Sequence, residues 1–303
     1  GSKRIHPKDF LELKIPLPPK EEQNSFIEHF KKLQEKHSQT LEELQTQSEL
    51  IKKLRSSILS DAVSGKLVPQ DPNDESAEVL LEKIKAEKEK LTKEGKIKKQ
   101  KPLPPINEDE IPYELPDGWV WCRFGKVATI SSNLVNPYSY EDYPHIAPNN
   151  IEKHRGKLLD FNTVKDDCVK SSNHLFYSNQ ILYSKVRPLL NKVIIVDFIG
   201  LCSADIYPID SFIYNKYLKF LMLSDLFLEQ VSSVENRVKM PKINQGELNN
   251  LLLSIPPLEE QKRIVKKVEK LMVTCDALEL EVQNSKKETE KLMQSVLKEA
   301  FKA

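Results

Sequence analysis

Asn136-Pro-Tyr-Ser-Tyr140 is the stretch whose residue types come nearest to a reaction centre. An Asn side chain and a proline carbonyl, followed by aromatic rings, can hold an exocyclic amine for methyl transfer. The second proline of such a site is absent, and no glycine-rich strand marks a methyl-donor pocket, so the stretch reads as a loop. The sequence holds no other catalytic signature. There is no GxGxxG, no GKS or GKT loop and no GxSxG. The histidines His6, His29, His37, His145, His154 and His174 show neither HxxxH nor HExxH spacing, and His145 and His174 read as structural. Cys122, Cys168, Cys202 and Cys275 form no CxxC pair, which fits reduced thiols in a cytosolic compartment. The expectation is a chain that catalyses nothing by itself and carries neither metal nor cofactor.

Composition narrows the partners. A net charge of +1 over 303 residues gives no global attraction to nucleic acid, so such a partner would need a local basic surface. Neither a signal peptide nor an apolar run of membrane-spanning length is present, so a soluble cytoplasmic protein with no membrane contact is expected. Few glycines (8) and 30 % charged residues favour long solvated helices. Gly1-Ser2 reads as a tag remnant, with the natural chain beginning further upstream.

The elements that must position any site divide by aromatic content. All nine tyrosines and both tryptophans lie between Tyr113 and Tyr217, marking a globular core. On either side run Glu, Lys, Gln and Leu. The first flank carries apolar residues at a seven-residue repeat, with Phe26, Leu33 and Leu54 in one register and Phe30, Leu44, Ile51 and Ile58 in the other. The second repeats the pattern with Ile264, Leu271, Leu278 and Leu292 beside Val268, Val282 and Val296. Such narrow stripes call for a partner helix, and the two flanks are expected to pair as an antiparallel coiled coil. They also match each other without a gap at an offset of 238: Pro18-Pro19 falls on Pro256-Pro257, Glu21-Glu22-Gln23 on Glu259-Glu260-Gln261, Leu33 on Leu271. This is an internal repeat, punctuated by prolines that end one element before an acidic first turn starts the next.

Between the flanks, residues 66–111 comprise a loop, a Lys/Glu helix from about Ser76 to Lys93 and a Pro-rich connector. Nine lysines face three glutamates between Lys83 and Lys101, a strip that reads either as a solvated helix and tether or as a nucleic-acid contact. In the globular region "VATI", "QILYSKV" and "KVIIVDF" read as strands and "YNKYLKFLMLSDLFLEQV" as an amphipathic helix. The fold class expected is α+β: one globular α/β domain over 112–253, flanked by helices over 16–65 and 254–303. Residues 1–15 match the end of the globular region and read as the tail of another, absent domain.

The order "IPLPPKEEQ", heptad helix, "SILSDAVSGKLVPQDPNDESAEVLLEKIKAEK", "LPDGWVWCRFGKVATI", "ILYSKVRPLLNKV", "MPKINQGELNNLLLSIPPLEEQKRIV" and a second heptad helix resembles the DNA-specificity subunit of a type I restriction-modification system. The resemblance runs from Ile5 onward. It implies a target-recognition domain that reads half of a split target in double-stranded DNA. It also implies a coiled coil that sets the spacing and docks methyltransferase subunits, with the restriction subunit joined through the complex. Methyl donor, ATP and magnesium would then belong to the partners. The absent first domain departs from that pattern, and the sequence leaves a monomer and a homodimer both open.

Contact residues follow from side-chain chemistry. Lys185, Arg187, Asn191 and Lys192 are the densest basic cluster; Arg can fork onto guanine and Lys can neutralise phosphate, while Arg187 could equally brace the turn before Pro188. Asn149, Asn150, Lys153, His154, Arg155 and Lys157 form a second candidate loop, and Arg237, Lys239 and Lys242 a third, which reads also as a solvated loop before the helix. Tyr138 and Tyr140 could stack or pack. The globular region has no excess of bases, so a DNA face there must be patterned. The rival reading is a coiled-coil scaffold or protein-interaction module without sequence-specific DNA binding.

Overall fold

The computed structural model describes residues 7–12, 19–234 and 241–300. Most of the expected tail at 1–15 lies outside them; the short helix α1 (Pro7–Leu11) is its described part. Two long helices, α2 (Lys20–Val63) and α8 (Leu258–Ala300), bracket the chain. Two compact units divide it: residues 1–54 with 273–303, and residues 55–272.

The larger unit is α+β. It opens with α3 (Ala77–Lys93), which ends where Gly95, at φ +70°, turns the chain back: Lys96 N–H reaches Leu91 O at 2.9 Å and Gly95 N–H reaches Thr92 O at 3.1 Å. These bonds cover the carbonyls that a helix end leaves open. The Pro-rich connector that follows is held from below by Arg123. Its guanidinium is buried, donates to Pro105 O at 2.7 Å and Asn250 O at 2.9 Å, and pairs with Glu110 at 2.6 Å.

Short strands then alternate with turns: β1 (Val120–Arg123), a helical turn α4 (Phe124–Val127), β2 (Ala128–Ile130), β3 (Leu134–Val135), β4 (Pro144–Ile146), β5 (Asn162–Thr163), β6 (Asn173–Phe176), β7 (Ile181–Ser184), β8 (Val193–Ile195), β9 (Gly200–Cys202) and β10 (Ile206–Ser211). Helices α5 (Asn215–Leu223), α6 (Asp225–Val234) and α7 (Gln245–Asn250) lead to β11 (Leu252–Ile255). Three sheets form among the described residues: β1-β11; β2-β10-β7-β8, antiparallel throughout; and β3-β6-β9-β4-β5, whose β4-β9 pair is parallel. One apolar cluster draws on the two larger sheets, joining Ile146, Phe176 and Cys202 to Leu182, Ile194 and Ile206. All four residues of β7 are buried, as suits a strand covered on both faces.

The expected strands appear as β2, β7 and β8. The single helix expected over 214–231 is two. Ser224 is extended (ψ 160°) and buried, its hydroxyl donates to Leu221 O at 2.6 Å, and Asp225 opens α6. A serine that satisfies the preceding turn through its side chain ends one helix and frees the backbone to start another.

Polar groups at the start of α8 join these pieces. Glu260 and Gln261 are buried in its first turn. Glu260 accepts from Trp119 Nε1 at 3.0 Å and from Gln70 Nε2 at 3.2 Å, and burial raises its carboxyl above the usual range. Gln261 accepts from the Tyr214 N–H at 2.9 Å and donates to Pro256 O at 2.9 Å. Arg263 pairs with Asp74 at 2.6 Å. The end of α2 enters the same assembly, with Val63 O accepting from Ser254 Oγ at 2.6 Å and from Tyr113 OH at 3.0 Å. Because Val63 lies by Ser254 while Arg55 reaches Met272, the two helices run antiparallel.

Burial along the helices corrects part of the expected seam. One shielded stripe of α2 runs through Phe26, Phe30, Leu33, His37, Leu41, Leu44, Ser48, Ile51, Arg55 and Ile58, its steps alternating between four and three except for two successive fours at 33–37–41. That stutter moves the stripe by one position, so Ile51 is 8 % exposed while Leu54 is 44 % exposed. In α8 the stripe runs through Ile264, Val268 and Cys275, which are buried, and Leu271, Glu279, Val282, Ser285, Thr289, Met293 and Val296, which are half-buried, with the same two fours at 271–275–279 and two more at 285–289–293. Leu278 (40 % exposed) and Leu292 (67 %) therefore leave the seam. The repeat carries its phase shift at the same place in both copies.

Ile51→Ala should cost about 2–4 kcal/mol by cavity formation, and Leu54→Ala under about 0.5, measured by urea unfolding followed at the helical CD band. Equal losses would restore the unbroken heptad. Gln261→Ala leaves the Tyr214 N–H without its acceptor and should cost about 1–3 kcal/mol in the same measurement.

Candidate nucleic-acid interface

The candidate loops, distant in sequence, meet on one side of the larger unit. The first is a hairpin-like turn closed by the Ile151–Leu158 bridge and by Glu152 N–H to Lys157 O at 3.0 Å. Its tip, Lys153-His154-Arg155-Gly156, bends through two left-handed residues, His154 (φ 58°) and Gly156 (φ 64°). The second loop joins β7 to β8 around a short 3-10 turn, Pro188–Leu190. His154 N–H donates into it, to Asn191 O at 3.2 Å and Leu190 O at 3.3 Å, and Lys192 Nζ reaches back to Pro148 O at 2.5 Å. The third loop touches the second through the Val186–Lys242 bridge and the bond from Arg187 N–H to Pro241 O at 2.8 Å. Arg237 and Lys239 lie outside the described residues.

Convergence concentrates positive charge. Lys192 has its ammonium pKa lowered by burial, then by the Arg187 and Lys153 charges beside it. His154 is lowered by burial and by Lys153, with Asp225 opposing. Lys153, Lys157, Arg187 and Asn149 are exposed; Arg155 is half-buried, 4.0 Å from Glu152. Lys185 is half-buried, its ammonium 5.1 Å from the centre of the Tyr207 ring. Lys242 is held by Asp205 at 3.1 Å.

Two expected contact residues are structural instead. Asn150 is buried, accepting from Ala147 N–H at 2.8 Å and donating to Asp160 O at 2.7 Å, so its amide closes the base of the first loop. Asn191 is 0 % exposed at φ 43°. Its place in the fold is a backbone one, a left-handed turn that asparagine tolerates better than most residues. Neither could reach a base edge without leaving its position.

Sequence reading missed Tyr207, Asp205 and Asp225, which support Lys185, Lys242 and His154. Strand pairing alone brings Tyr207 opposite Tyr183, about two dozen residues earlier. The Asn136–Tyr140 stretch is a loop with its amide already used: Asn136 Oδ1 accepts from Tyr138 N–H at 3.2 Å. Tyr140 packs edge-on against Tyr143 at 5.2 Å, and Tyr138 is exposed. His145 binds Asp167 at 2.7 Å, a structural pair. The four cysteines are free thiols, and burial pushes Cys122 up to about 12. No described helix is long and apolar enough to cross a membrane.

The family model for the type I restriction modification DNA specificity domain matches residues 116–286. The specificity subunit of the type I restriction enzyme EcoDI from Escherichia coli is 36 % identical over 294 residues, 97 % of this chain and 63 % of that subunit. The EcoAI specificity subunit, also from Escherichia coli, is 34 % identical over 77 % of this chain and 42 % of its own length. The chain thus spans about two fifths to three fifths of these relatives. Among solved structures, the HsdS subunit from Thermoanaerobacter tengcongensis is 27 % identical, with a TM-score of 0.51 over 63 % of this chain and 51 % of that one. A structure described as the basis of complex assembly and conformational transition of the type I R-M system shares the fold, with a TM-score of 0.57 at 20 % identity over 95 % of this chain and 60 % of that one. With more than half of its length matching the family model across the globular region and into α8, the chain belongs to the type I restriction modification DNA specificity family.

Proposed function

We propose that this chain reads one half of a bipartite double-stranded DNA target, with the loops around Lys153, Lys157, Lys185, Arg187 and Lys192 as the reading face. The observation that carries the reading is Arg187. It is exposed, stands beside Lys153 and Lys192, and holds φ 46°, ψ 56° immediately before a proline. An L-residue with a Cβ in the left-handed region costs about 1–2 kcal/mol, and a following proline makes helical conformations less favourable still. Strain of this kind collects where a side chain is aimed for use. An arginine presented on a rigid turn can fork onto guanine O6 and N7 in the major groove, while the surrounding lysines neutralise phosphate.

On this reading the chain contributes recognition and no catalytic group. Methylation and cleavage, with methyl donor, ATP and magnesium, belong to partner subunits. Exposed leucines on the helical unit, Leu50, Leu280 and Leu292, support docking of methyltransferase subunits there, and the antiparallel helices supply a fixed length that would set the target's spacing. The protein-interaction alternative predicts no salt-sensitive and no sequence-dependent DNA binding.

Selection of duplexes from a random pool, with the chain bound to its methyltransferase subunit, should enrich one short motif; no enrichment overturns the reading. Arg187→Ala should cost about 1–3 kcal/mol on the selected motif and relax one position, whereas Lys153→Ala should weaken all sequences alike. Arg187→Gly relieves the backbone and should raise stability by roughly 0.5–1 kcal/mol in urea unfolding while binding more weakly.

A further inference from the structure

A second basic feature lies away from the reading loops. A cleft of about 2360 Å³ opens between α3 with its connector on one side and β2, β10 and α7 on the other. Among the described residues eight lysines line it against four acidic side chains, and no arginine does. Lys96, Lys98, Lys99 and Lys101 lie along the connector and Lys126 on the opposite wall. One of the four acids, Asp210, is already engaged, accepting from Ser131 Oγ at 2.5 Å and Gln180 Nε2 at 2.7 Å.

The walls are fixed to each other. Lys88 on α3 projects its ammonium onto the end of α4, donating to Gly125 O at 2.5 Å and Ala128 O at 3.1 Å, with Gln100 Oε1 at 3.2 Å. Burial brings its pKa down to about 8. The connector approaches α4 so closely that a Cβ on Gly125 would lie 2.3 Å from Gln100 Nε2. The cleft is thus a built groove rather than a gap beside a loose tether.

Its lining also holds unused hydrogen-bonding capacity. Thr129 Oγ1, Asn133 Oδ1 and Asn249 Oδ1 are buried without a partner, and all three residues line the cleft. A threonine hydroxyl can donate to an anionic oxygen, and an asparagine amide turned about its axis offers an N–H in place of its oxygen. Chain continuity ties the groove to the reading face: Lys242 bridges Val186, and three residues later Gln245 begins the α7 wall.

We infer that this lysine-lined groove is a sequence-independent contact for the phosphate backbone of the duplex whose bases the Arg187 face reads. The inference rests on the DNA-reading function proposed above. Lysine is a compact point charge suited to phosphate, whereas guanine recognition needs the planar fork of arginine. Among the described residues, Arg155 and Arg187 are in the reading loops and the basic lining of the groove is lysine alone. Lys98, Lys99 and Lys101 are exposed and carry no ion pair among the described residues, so a polyanion can be met without first breaking contacts.

The test uses the full chain and its Lys98→Gln/Lys99→Gln/Lys101→Gln variant, with CD confirming equal helicity. First, retention of a random-sequence duplex is measured across a salt series. The slope of log K against log salt should fall in magnitude by about 2–3, near 0.9 per lost phosphate contact. Lys126→Gln, on the opposite wall, should lower it by about one. Second, each protein with its methyltransferase subunit selects sequences from a random pool, and the selected motif should not change. An unaltered slope overturns the groove's role, as does a parent chain that shows no salt-sensitive retention. Loss of methyltransferase-subunit binding with duplex retention kept also overturns it and assigns the groove to an acidic protein segment. A reduced slope without any enriched motif would leave the groove standing and sink the reading function instead.

Discussion

Everything in the larger unit hangs on the buried polar first turn of α8. Glu260 and Gln261 reach in four directions: to Trp119, to the loop after α2 through Gln70, to the start of α5 through the Tyr214 N–H, and to the carbonyl of Pro256 behind them. Burying a carboxyl is costly, and its raised pKa records that cost. Its hydrogen bonds from Trp119 and Gln70 offset it, and they can form in only one arrangement of helix, strand and loop. Apolar packing alone would allow α8 to slide or rotate; a satisfied polar junction does not. With α8 placed there, β11 pairs with β1, and Ser254 meets the end of α2.

That junction also gives the repeated punctuation a physical meaning. Prolines stop β11, and the following acidic turn begins a helix that buries two polar side chains, Glu260 and Gln261, before its apolar stripe starts at Ile264. Further along, the repeat preserves a subtler property. Both long helices skip a residue of phase at corresponding places, 33–37–41 and 271–275–279, so their stripes correspond although neither follows a strict seven, save that α8 shields Ser285, one residue ahead of the position that matches Ser48 in α2.

Much of this was legible in the sequence. Aromatic segregation, the proline marks and the ungapped repeat located the globular region and the two helices, because each has a short-range cause. Where the reading failed, long-range geometry decided. Leu54, Leu278 and Leu292 fit a heptad on paper, but the stutter is set by which side chains a second helix shelters. Asn150 and Asn191 look like base readers by type. Their fates were settled by loop closure: the first loop closes on itself through the Asn150 amide to Asp160 O, and onto the second through the His154 N–H to Asn191 O. Ser224 splits a helix whose apolar periodicity continues across the break. The sequence held Lys153 in one candidate loop and Arg187 with Lys192 in another; the backbone bonds from His154 to Leu190 and Asn191 bring the two together.

The exposed loop tips have a consequence for how readily this protein can change. Lys153, Lys157 and Arg187 extend from turns whose geometry is fixed by backbone bonds and by buried neighbours such as Asn150, Asn191 and Pro188. Their side chains contribute little to the apolar core, so exchange of one side chain for another at Lys153 or Lys157 draws on stability by roughly 0.5 kcal/mol or less, and at Arg187 it is the backbone more than the side chain that carries a cost. The residues that hold the turns in place are separate from those that project from them. A chain arranged this way can exchange one chemical surface for another while its sheets, helices and junctions stay as they are, which makes its chemistry far easier to alter than its shape.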